Sequence, residues 1–284
     1  MPVQVTGEIV SNTKAGDYHV LTMTGKGIPE DAKPGQFVAL SVGGELGSTL
    51  LRRAFSIYKA QSRGAYGGTI DIVVSPHGPG TDWLANQQRG DRVNLIGPLG
   101  KPFALPRDPV PCVLVGGGYG SAPLFMLADA LAARGCRVDV ILGASNGSKL
   151  FGVVDARRIA STLSITTDDG SVGTKGRVTD LLPRVIQRAQ SAVVYACGPM
   201  AMLRAVSEVS TANGAHSQTA VEESMACGIG VCMTCVLPVI GDDGQTRMVR
   251  SCVDGPSFHG NRVRWDAVGT VPEGTIGAPI AGGH

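Results

Sequence analysis

Charge is scarce in this 284-residue chain: Asp, Glu, Lys and Arg make up 17% of it, against a usual ~25%. Its 25 basic and 23 acidic residues leave a formal charge of only +2. No basic run is interleaved with aromatics, so there is no footprint for a phosphate backbone and nucleic acid is not expected as a partner. Nowhere do ~18 apolar residues run uninterrupted, as a membrane-spanning helix needs. The best candidate, 110–133, is broken by glycines, prolines and Asp129. Residues 1–8 show no basic segment leading into an apolar run, so no secretory signal is expected. The chain reads as cytoplasmic and without a membrane partner. Nor is there an internal repeat at a period of ~20–50 residues, which sets aside solenoids and propellers.

What is present points to packed domains. Hydrophobic residues are 43% of the chain, enough to build real cores and to argue against disorder. At ~150 residues per domain the length predicts two domains with a small appendage. Glycine occupies 40 positions, about twice the usual share, which predicts many sites where backbone must turn sharply or approach something bound.

From 3 to 96, apolar and polar residues alternate over six short runs, at 3–10, 18–24, 36–42, 55–58, 69–75 and 92–96, punctuated by Gly, Pro and Asp. This spacing predicts a six-stranded antiparallel barrel. A short helix over 82–88 is expected, with Thr81 as its N-cap. A proline-rich crossing, Lys101 to Pro109, marks the first boundary. Beyond it, strands at 111–115, 137–143, 163–167 and 192–197 alternate with helices at 122–133, 153–159, 178–190 and 200–213, the pattern of a parallel sheet covered on both faces. The division drawn from this is 1–105 for the barrel, 106–216 for the α/β unit, 217–265 for a cysteine-rich unit, and 266–284 for a flexible tail.

Four of the seven cysteines crowd together: Cys227, Cys232, Cys235 and Cys252, spaced C-x4-C-x2-C-x16-C. The first three match the plant-type [2Fe-2S] arm, and Gly228 and Gly230 let peptide N–H groups turn toward a cluster. Between Cys235 and Cys252, runs at 236–240 and 245–249 flank a Gly241-Asp242-Asp243-Gly244 turn. A hairpin centred between Asp243 and Gly244 pairs Cys235 directly with Cys252. Four thiolates also suit tetrahedral zinc, although paired C-x2-C knuckles are the commoner zinc pattern. Cys112 and Cys136 read as small hydrophobes. Cys197 ends a parallel strand where ligands of open α/β sheets bind, and on residues alone it is either structural or part of a site.

The strand at 111–115 runs into Gly116-Gly117-Gly118-Tyr119-Gly120-Ser121-Ala122-Pro123 and then a helix, the arrangement in which a pyrophosphate meets glycine backbone and free helix N–H groups. In the barrel, Arg53 and Ser56 lie three apart, on opposite faces of a regular strand, so a shared ligand requires local bending or must wrap the strand edge. An acid for a ribose is expected ~20 residues after the glycine loop. Asp139 stands there, inside a strand and beside Arg137, which leaves NADH and NADPH undistinguished.

Together these segments resemble the ferredoxin-reductase superfamily, and within it the electron-transfer subunits of the heteromeric NAD-linked dihydroorotate dehydrogenases. The resemblance runs from about Val3 to Trp265. Arg53-Ala54-Phe55-Ser56 is similar to the family's flavin motif Arg-Pro-x-Ser, with alanine in place of proline, and Gly78-Pro79-Gly80-Thr81 to its pyrophosphate turn. Cys197-Gly198-Pro199-Met200 is similar to the segment beside the nicotinamide, and Glu222 to Cys232 is the most specific match. The resemblance implies FAD held by Arg53, Ala54, Phe55, Ser56, Val73, Val74, Ser75, Gly80 and Thr81. It implies NAD(H) on Gly116, Gly117, Gly118, Gly120, Gly198, Pro199 and Met200, with Cys197 catalytic near the hydride path. Cys227, Cys232, Cys235 and Cys252 become the ligands of a [2Fe-2S] cluster.

A nicotinamide gives up two electrons as a hydride and an iron-sulfur cluster takes one at a time, so the implied wiring needs a flavin between them. It also needs a partner, expected to be the FMN-containing dihydroorotate dehydrogenase catalytic subunit in a heterotetramer. Two alternatives stand beside this reading. One is the small subunit of an NADH-dependent ferredoxin:NADP oxidoreductase, a relative that tends to replace one cysteine ligand with a carboxylate. The other is a zinc-bearing interaction module without redox chemistry.

Overall fold

The computed structural model describes residues 1–44, 49–64 and 67–276. The first part is a closed barrel of six strands, β1 (Val3–Ala15), β2 (Tyr18–Thr24), β3 (Phe37–Leu40), β4 (Arg53–Ser62), β5 (Gly68–Val74) and β6 (Arg92–Leu99), in the order β1-β2-β5-β4-β3-β6. The alternation seen in the sequence is what closes it: Ile9, Leu21, Leu40, Ile57, Ile72 and Leu95 point inward and are fully buried. Helix α1 (Pro79–Ala85) follows β5. It starts earlier than expected, with Gly78 rather than Thr81 at its N-cap. Pro79 can open a helix because the N–H it lacks would have no partner there. The Thr81 hydroxyl lies inside the first turn, donating to Gly78 O and accepting from His77 N, both at 3.0 Å.

The second part alternates β7 (Cys112–Gly117), α2 (Pro123–Ala133), β8 (Val138–Ala144), α3 (Val153–Ile159), β9 (Thr162–Thr167), the two-residue β10 (Thr174–Lys175), α4 (Val178–Ala189), β11 (Val193–Cys197), α5 (Met200–Ala212) and β12 (His216–Ala220). These strands are parallel, in the order β10-β9-β8-β7-β11-β12. The order reverses at β7, with β8 on one side and β11 on the other. The crevice outside their carboxyl ends is therefore the switch point where open α/β sheets bind ligands. The sequence reading ends the sheet at Cys197 and misses β12, because His-Ser-Gln-Thr-Ala carries no branched apolar residue to announce a strand. The division drawn at 216/217 falls inside β12.

The cysteine-rich segment is an excursion from this sheet edge. It leaves after β12 and forms the hairpin β13 (Val236–Ile240) and β14 (Thr246–Arg250). It returns as β15 (Ser257–His259), antiparallel to β12. Beyond it, in the tail expected over 266–284, Thr275 is buried and Ile276 N donates to Thr246 O at 3.1 Å, while Val271, Glu273, Gly274 and Ile276 are exposed. The expectation for 277–284 lies outside the described residues. Among the described residues no helix is long and apolar enough to cross a membrane.

Barrel and sheet share one core. Tyr18, Tyr58 and Val73 of the barrel pack with Phe125 and Phe151 of the second part, and Tyr58 meets Phe151 edge-on at 5.2 Å. Tyr58 Oη donates to Asp155 at 2.6 Å, and Lys59 pairs with the same carboxylate at 3.0 Å. The crossing segment is tied down by Tyr195 Oη, which donates to Ala104 O at 2.8 Å.

Asp139 is corrected by this fold. It is 0% exposed near the amino end of β8, whereas the glycine loop leaves the carboxyl end of β7. There it pairs with Arg137 at 2.9 Å and Arg188 at 3.7 Å, and accepts from Thr162 Oγ1. Burial by itself raises its pKa, but the hydrogen bonds from Arg137 and Thr162 and the two guanidinium charges outweigh that and hold it below the usual carboxylate range. A folded-state pKa below the unfolded one adds stability that is complete above the unfolded value and disappears as pH falls through the folded one. Asp139→Asn is expected to cost about 1–2 kcal/mol at neutral pH and to flatten the acid limb of stability. Urea melts of both proteins between pH 7 and pH 3 check this; parallel curves for the two would remove Asp139 from the account.

Candidate functional site

The glycine loop and the Cys197 turn are neighbours because the sheet register makes them so: Cys197 sits opposite Gly116 on adjacent parallel strands. The loop glycines divide by role. A Cβ on Gly116 would stand 2.5 Å from Ser121 Cβ, and one on Gly120 2.7 Å from Gly198 Cα, so these two let chains pack closely. Gly117 does both: a Cβ there would stand 2.7 Å from Met202 Sδ, and with Gly118, Pro199 and Met202 it lines a cavity of about 480 Å3. Gly118 has φ +56°, a left-handed conformation that a side chain would strain. Met200 packs into the core beside Leu203 and Val206, and Met202 takes the place at the cavity wall. Asp168, Arg177 and Glu222 also line it. The sequence reading assigns no role to these three, because no local motif links them and only β9, α4 and the segment after β12 bring them together.

Cys197 is buried at the end of β11. Burial first, then the charge of Glu222, pushes its thiol up to about 12, with a smaller opposing pull from the Gly198 N–H. It therefore stays neutral near pH 7 and can act by contact but not as a thiolate nucleophile.

A second cavity, about 600 Å3, opens between barrel and loop and is lined by Lys14, His19, Ser75 and His77. On the barrel, Arg53 lies against the first turn of α1: a Cβ on Gly80 would be 3.4 Å from Arg53 Nε. Arg53 and Ser56 stay on opposite faces, since β4 pairs with β3 in unbroken register from Arg53↔Leu40 to Ser56↔Phe37. Of bending and wrapping the strand edge, bending is absent between them; the irregularity in β4 comes later, between Ile57 and Lys59. Arg52 turns away to Asn94, donating to Oδ1 at 2.6 Å. Ala54 is exposed and Phe55 packs against the barrel core, while Val73 and Val74 are buried and leave only backbone for a ligand.

The cysteines come together in two pairs. Cys227 and Cys232 are neighbours, and so are Cys235 and Cys252. The expected hairpin forms, one residue out of the expected register. Gly241 pairs with Gln245 around Asp242-Asp243-Gly244, with Gly244 at φ +76°, so the loop has three residues rather than four. Ser251, not Cys252, thus stands opposite Cys235, with Ser251 N donating to Cys235 O at 2.9 Å. A one-residue slip would put Cys252 on the wrong face of a continuing strand. Instead the chain turns at once, Val253 N and Asp254 N both donating to Arg250 O, and Cys252 swings back to Cys235.

Val231 N donates to Cys227 Sγ at 3.4 Å and Thr234 Oγ1 to Cys232 Sγ at 3.2 Å. Hydrogen bonding, from Thr234 first, draws the exposed Cys232 thiol down to about 6, whereas burial and then Cys235 push Cys252 up to about 12. Among the described residues no three metal-binding side chains converge as a single-ion site requires. Cys227 also acts electrostatically on Cys252, so the two pairs stand near each other. Cys112 and Cys136 lie buried beside each other, away from this cluster. Cys235 and Cys252 pack against Phe37, Ala39 and Leu99 of the barrel. Strand β3 therefore carries the cysteine loop on one side and pairs with Arg53–Ser56 on the other.

A family model described as the iron-sulfur cluster binding domain of dihydroorotate dehydrogenase B matches residues 222–264. The dihydroorotate dehydrogenase B (NAD(+)) electron transfer subunit of Desulforamulus reducens is 37% identical over 235 residues, which span 83% of this chain and 88% of that one. The subunit of the same name from Geobacillus thermodenitrificans is 38% identical over 245 residues, 86% of this chain and 91% of its own. The solved structure of an NADH-dependent reduced ferredoxin-NADP oxidoreductase is 30% identical, with a TM-score of 0.79, covering 92% of this chain and 90% of that one. With four cysteines gathered beside a flavin-reductase barrel and relatives alike along nearly their whole length, the chain belongs to the family of dihydroorotate dehydrogenase B (NAD(+)) electron transfer subunits.

Proposed function

We propose that this chain conducts electrons between NAD(H) and a partner subunit that oxidises dihydroorotate, by way of FAD and a [2Fe-2S] cluster. The placement of β3 carries the reading. Neighbouring strands lie about 4.8 Å apart, so the flavin motif on β4 is one strand spacing from β3, the strand against which the cysteine loop packs. Bound FAD supplies the conversion from a hydride pair to single electrons, and the cluster their passage outward.

The chain's own residues hold and orient. Arg53, beside Gly80, neutralises phosphate charge; Ala54, Phe55, Ser56, Val73 and Val74 line the strand edge, and Thr81 shapes the turn into α1. Ser75 lines the cavity between the barrel and the glycine loop. Gly117, Gly118 and Pro199 present the smaller cavity to the dinucleotide, while Gly116, Gly120 and Gly198 keep loop and β11 turn in contact and Met200 anchors the start of α5. Cys197 keeps a neutral thiol beside the reacting region. Cys227, Cys232, Cys235 and Cys252 would hold the cluster. The functional division is a FAD-binding barrel over 1–105, a NAD-binding unit over 106–216 and a cluster unit over 217–265, the last two joined through the sheet. Thiolate ligands of this kind persist in a reducing compartment such as the cytoplasm, which supports a cytoplasmic location.

The cluster loop presents Ile229, Val231, Met233 and Val253 to solvent, Val231 being 75% exposed. The reading makes this patch the contact with the FMN-bearing catalytic subunit in a heterotetramer. Val231→Asp is expected to weaken the assembly by about tenfold or more without removing iron, sulfide or FAD. Anaerobic sedimentation of the co-expressed subunits measures it, and an unaltered assembly would place the interface elsewhere. The function itself is tested by colour and content: purified anaerobically with its partner, the protein should carry FAD, iron and sulfide and couple dihydroorotate oxidation to NAD reduction.

A further inference from the structure

A short turn after β8, Asn146-Gly147-Ser148-Lys149, is tied to both large parts of the molecule. From the barrel, Asp17 N donates to Ser148 O at 3.1 Å and Tyr18 Oη to Lys149 O at 3.0 Å. From the loop after β9, Ser171 Oγ accepts from Gly147 N at 2.9 Å. Within the turn, Lys149 N donates to Asn146 Oδ1 at 3.1 Å. The glycine loop lies against the same place: a Cβ on Gly118 would stand 3.2 Å from Tyr18 Oη and 3.8 Å from Lys149 O. The backbone under Lys149 is therefore fixed, whereas its ammonium group enters no ion pair among the described residues. Asp17, the acid lining the larger cavity, is engaged instead by Ser148 Oγ, which donates to it at 2.8 Å.

Lys149 also stands where the two cavities meet, since it lines both, in company with Tyr18 and Tyr119. It is the one charged residue of the three. Asp168 and Arg177 line only the smaller cavity. A dinucleotide whose adenosine lies in that cavity must cross the junction for its nicotinamide to approach the flavin motif on the barrel. Its two phosphates sit midway between its nucleosides, so the middle of the path receives the negative charge. The geometry points to Lys149 as the cation that meets the NAD(H) pyrophosphate at this junction, opposite Gly118. Because the turn is already held in place, little ordering is left to oppose the contact beyond the lysine side chain itself. The inference rests on the nucleotide reading made above and adds to it the residue that answers the phosphates.

A phosphate contact and a damaged cavity are told apart by the ligand. NAD+ is titrated by calorimetry into the FAD-loaded complex at low and high salt, and adenosine, which keeps base and ribose without phosphate, is measured by its displacement of NAD+. Lys149→Met is expected to weaken NAD+ by about tenfold, the loss of one hydrogen bond to a charged group, and to leave adenosine unchanged. Its NAD+ affinity should also depend less steeply on salt than that of the wild type, because one screened charge pair is gone. Lys149→Arg, which keeps the charge, should recover most of the loss. Equal losses for adenosine and NAD+, or an unaltered NAD+ affinity and salt dependence, overturn the assignment of Lys149 and leave the nucleotide reading standing. An equal loss in Lys14→Met, a cation lining only the larger cavity, overturns it as well, since a general field and not a contact then accounts for the effect. Ala205→Trp, which fills the smaller cavity, tests the premise: undiminished NAD+ binding there removes the nucleotide from that cavity and the proposal with it.

Discussion

Cys252→Ser is expected to cut electron delivery to the partner by about two orders of magnitude or more, since even losing an outer contact of a metal ligand costs 10–100-fold. Cys252 is buried against Cys235, Phe37, Ala39 and Leu99. A serine there offers iron a harder, more basic oxygen in a site with no water to replace it. The iron-sulfur absorption and the paramagnetic signal after dithionite should disappear together. FAD should remain, because Arg53 and the α1 turn do not depend on this residue, and NADH should still reduce a small artificial acceptor such as ferricyanide. Cys136→Ser, made in a buried cysteine away from the cluster, should leave every one of these signals intact. A Cys252→Ser protein that kept the paramagnetic signal and the transfer would dismiss Cys252 as a ligand.

Gly120→Val is expected to separate the two halves of the machine in the opposite sense. Its Cβ would lie 2.7 Å from Gly198 Cα, 2.9 Å from Gly198 N and 3.2 Å from Cys197 C. All three are backbone atoms, and they cannot yield easily because Cys197 is locked by pairing to both Gly116 and Ala220. The loss is one of space and not of dihedral freedom, since Gly120 does not adopt a positive φ. Overpacking of this kind costs about 1–3 kcal/mol, and the strain falls on the two turns that flank the nucleotide cavity. NAD+ binding by calorimetry should fall below detection while FAD content and the reduced cluster's spectrum persist. Normal NAD+ affinity in Gly120→Val would mean that the approach of these turns does not shape the cavity.

Much of the architecture is legible along the chain, for local reasons. The alternation of Val3 to Ile96 predicts the barrel, and the repeated strand and helix runs after Pro111 predict the parallel sheet, because side-chain period reports directly which face is buried. The Cys227, Cys232 and Cys235 spacing is equally local. What fails is what depends on a partner across space. β12 has a strand's position without a strand's composition, and forms because β11 and β15 flank it. Asp139 has the right distance from the glycine loop and the wrong end of the strand. The hairpin register slips by one residue because Gly244 admits a three-residue loop, which composition alone does not distinguish from a four-residue one.

The sequence by itself determined the fold class and the four thiols, since both follow from periodicity and spacing within short windows of the chain. Only the tertiary structure decided that these thiols fall into two pairs, that β3 lies between them and the Arg53 segment, and that Lys149 stands where two cavities meet. Those relations join residues up to a hundred or more positions apart, and no window of sequence contains the packing that brings them together.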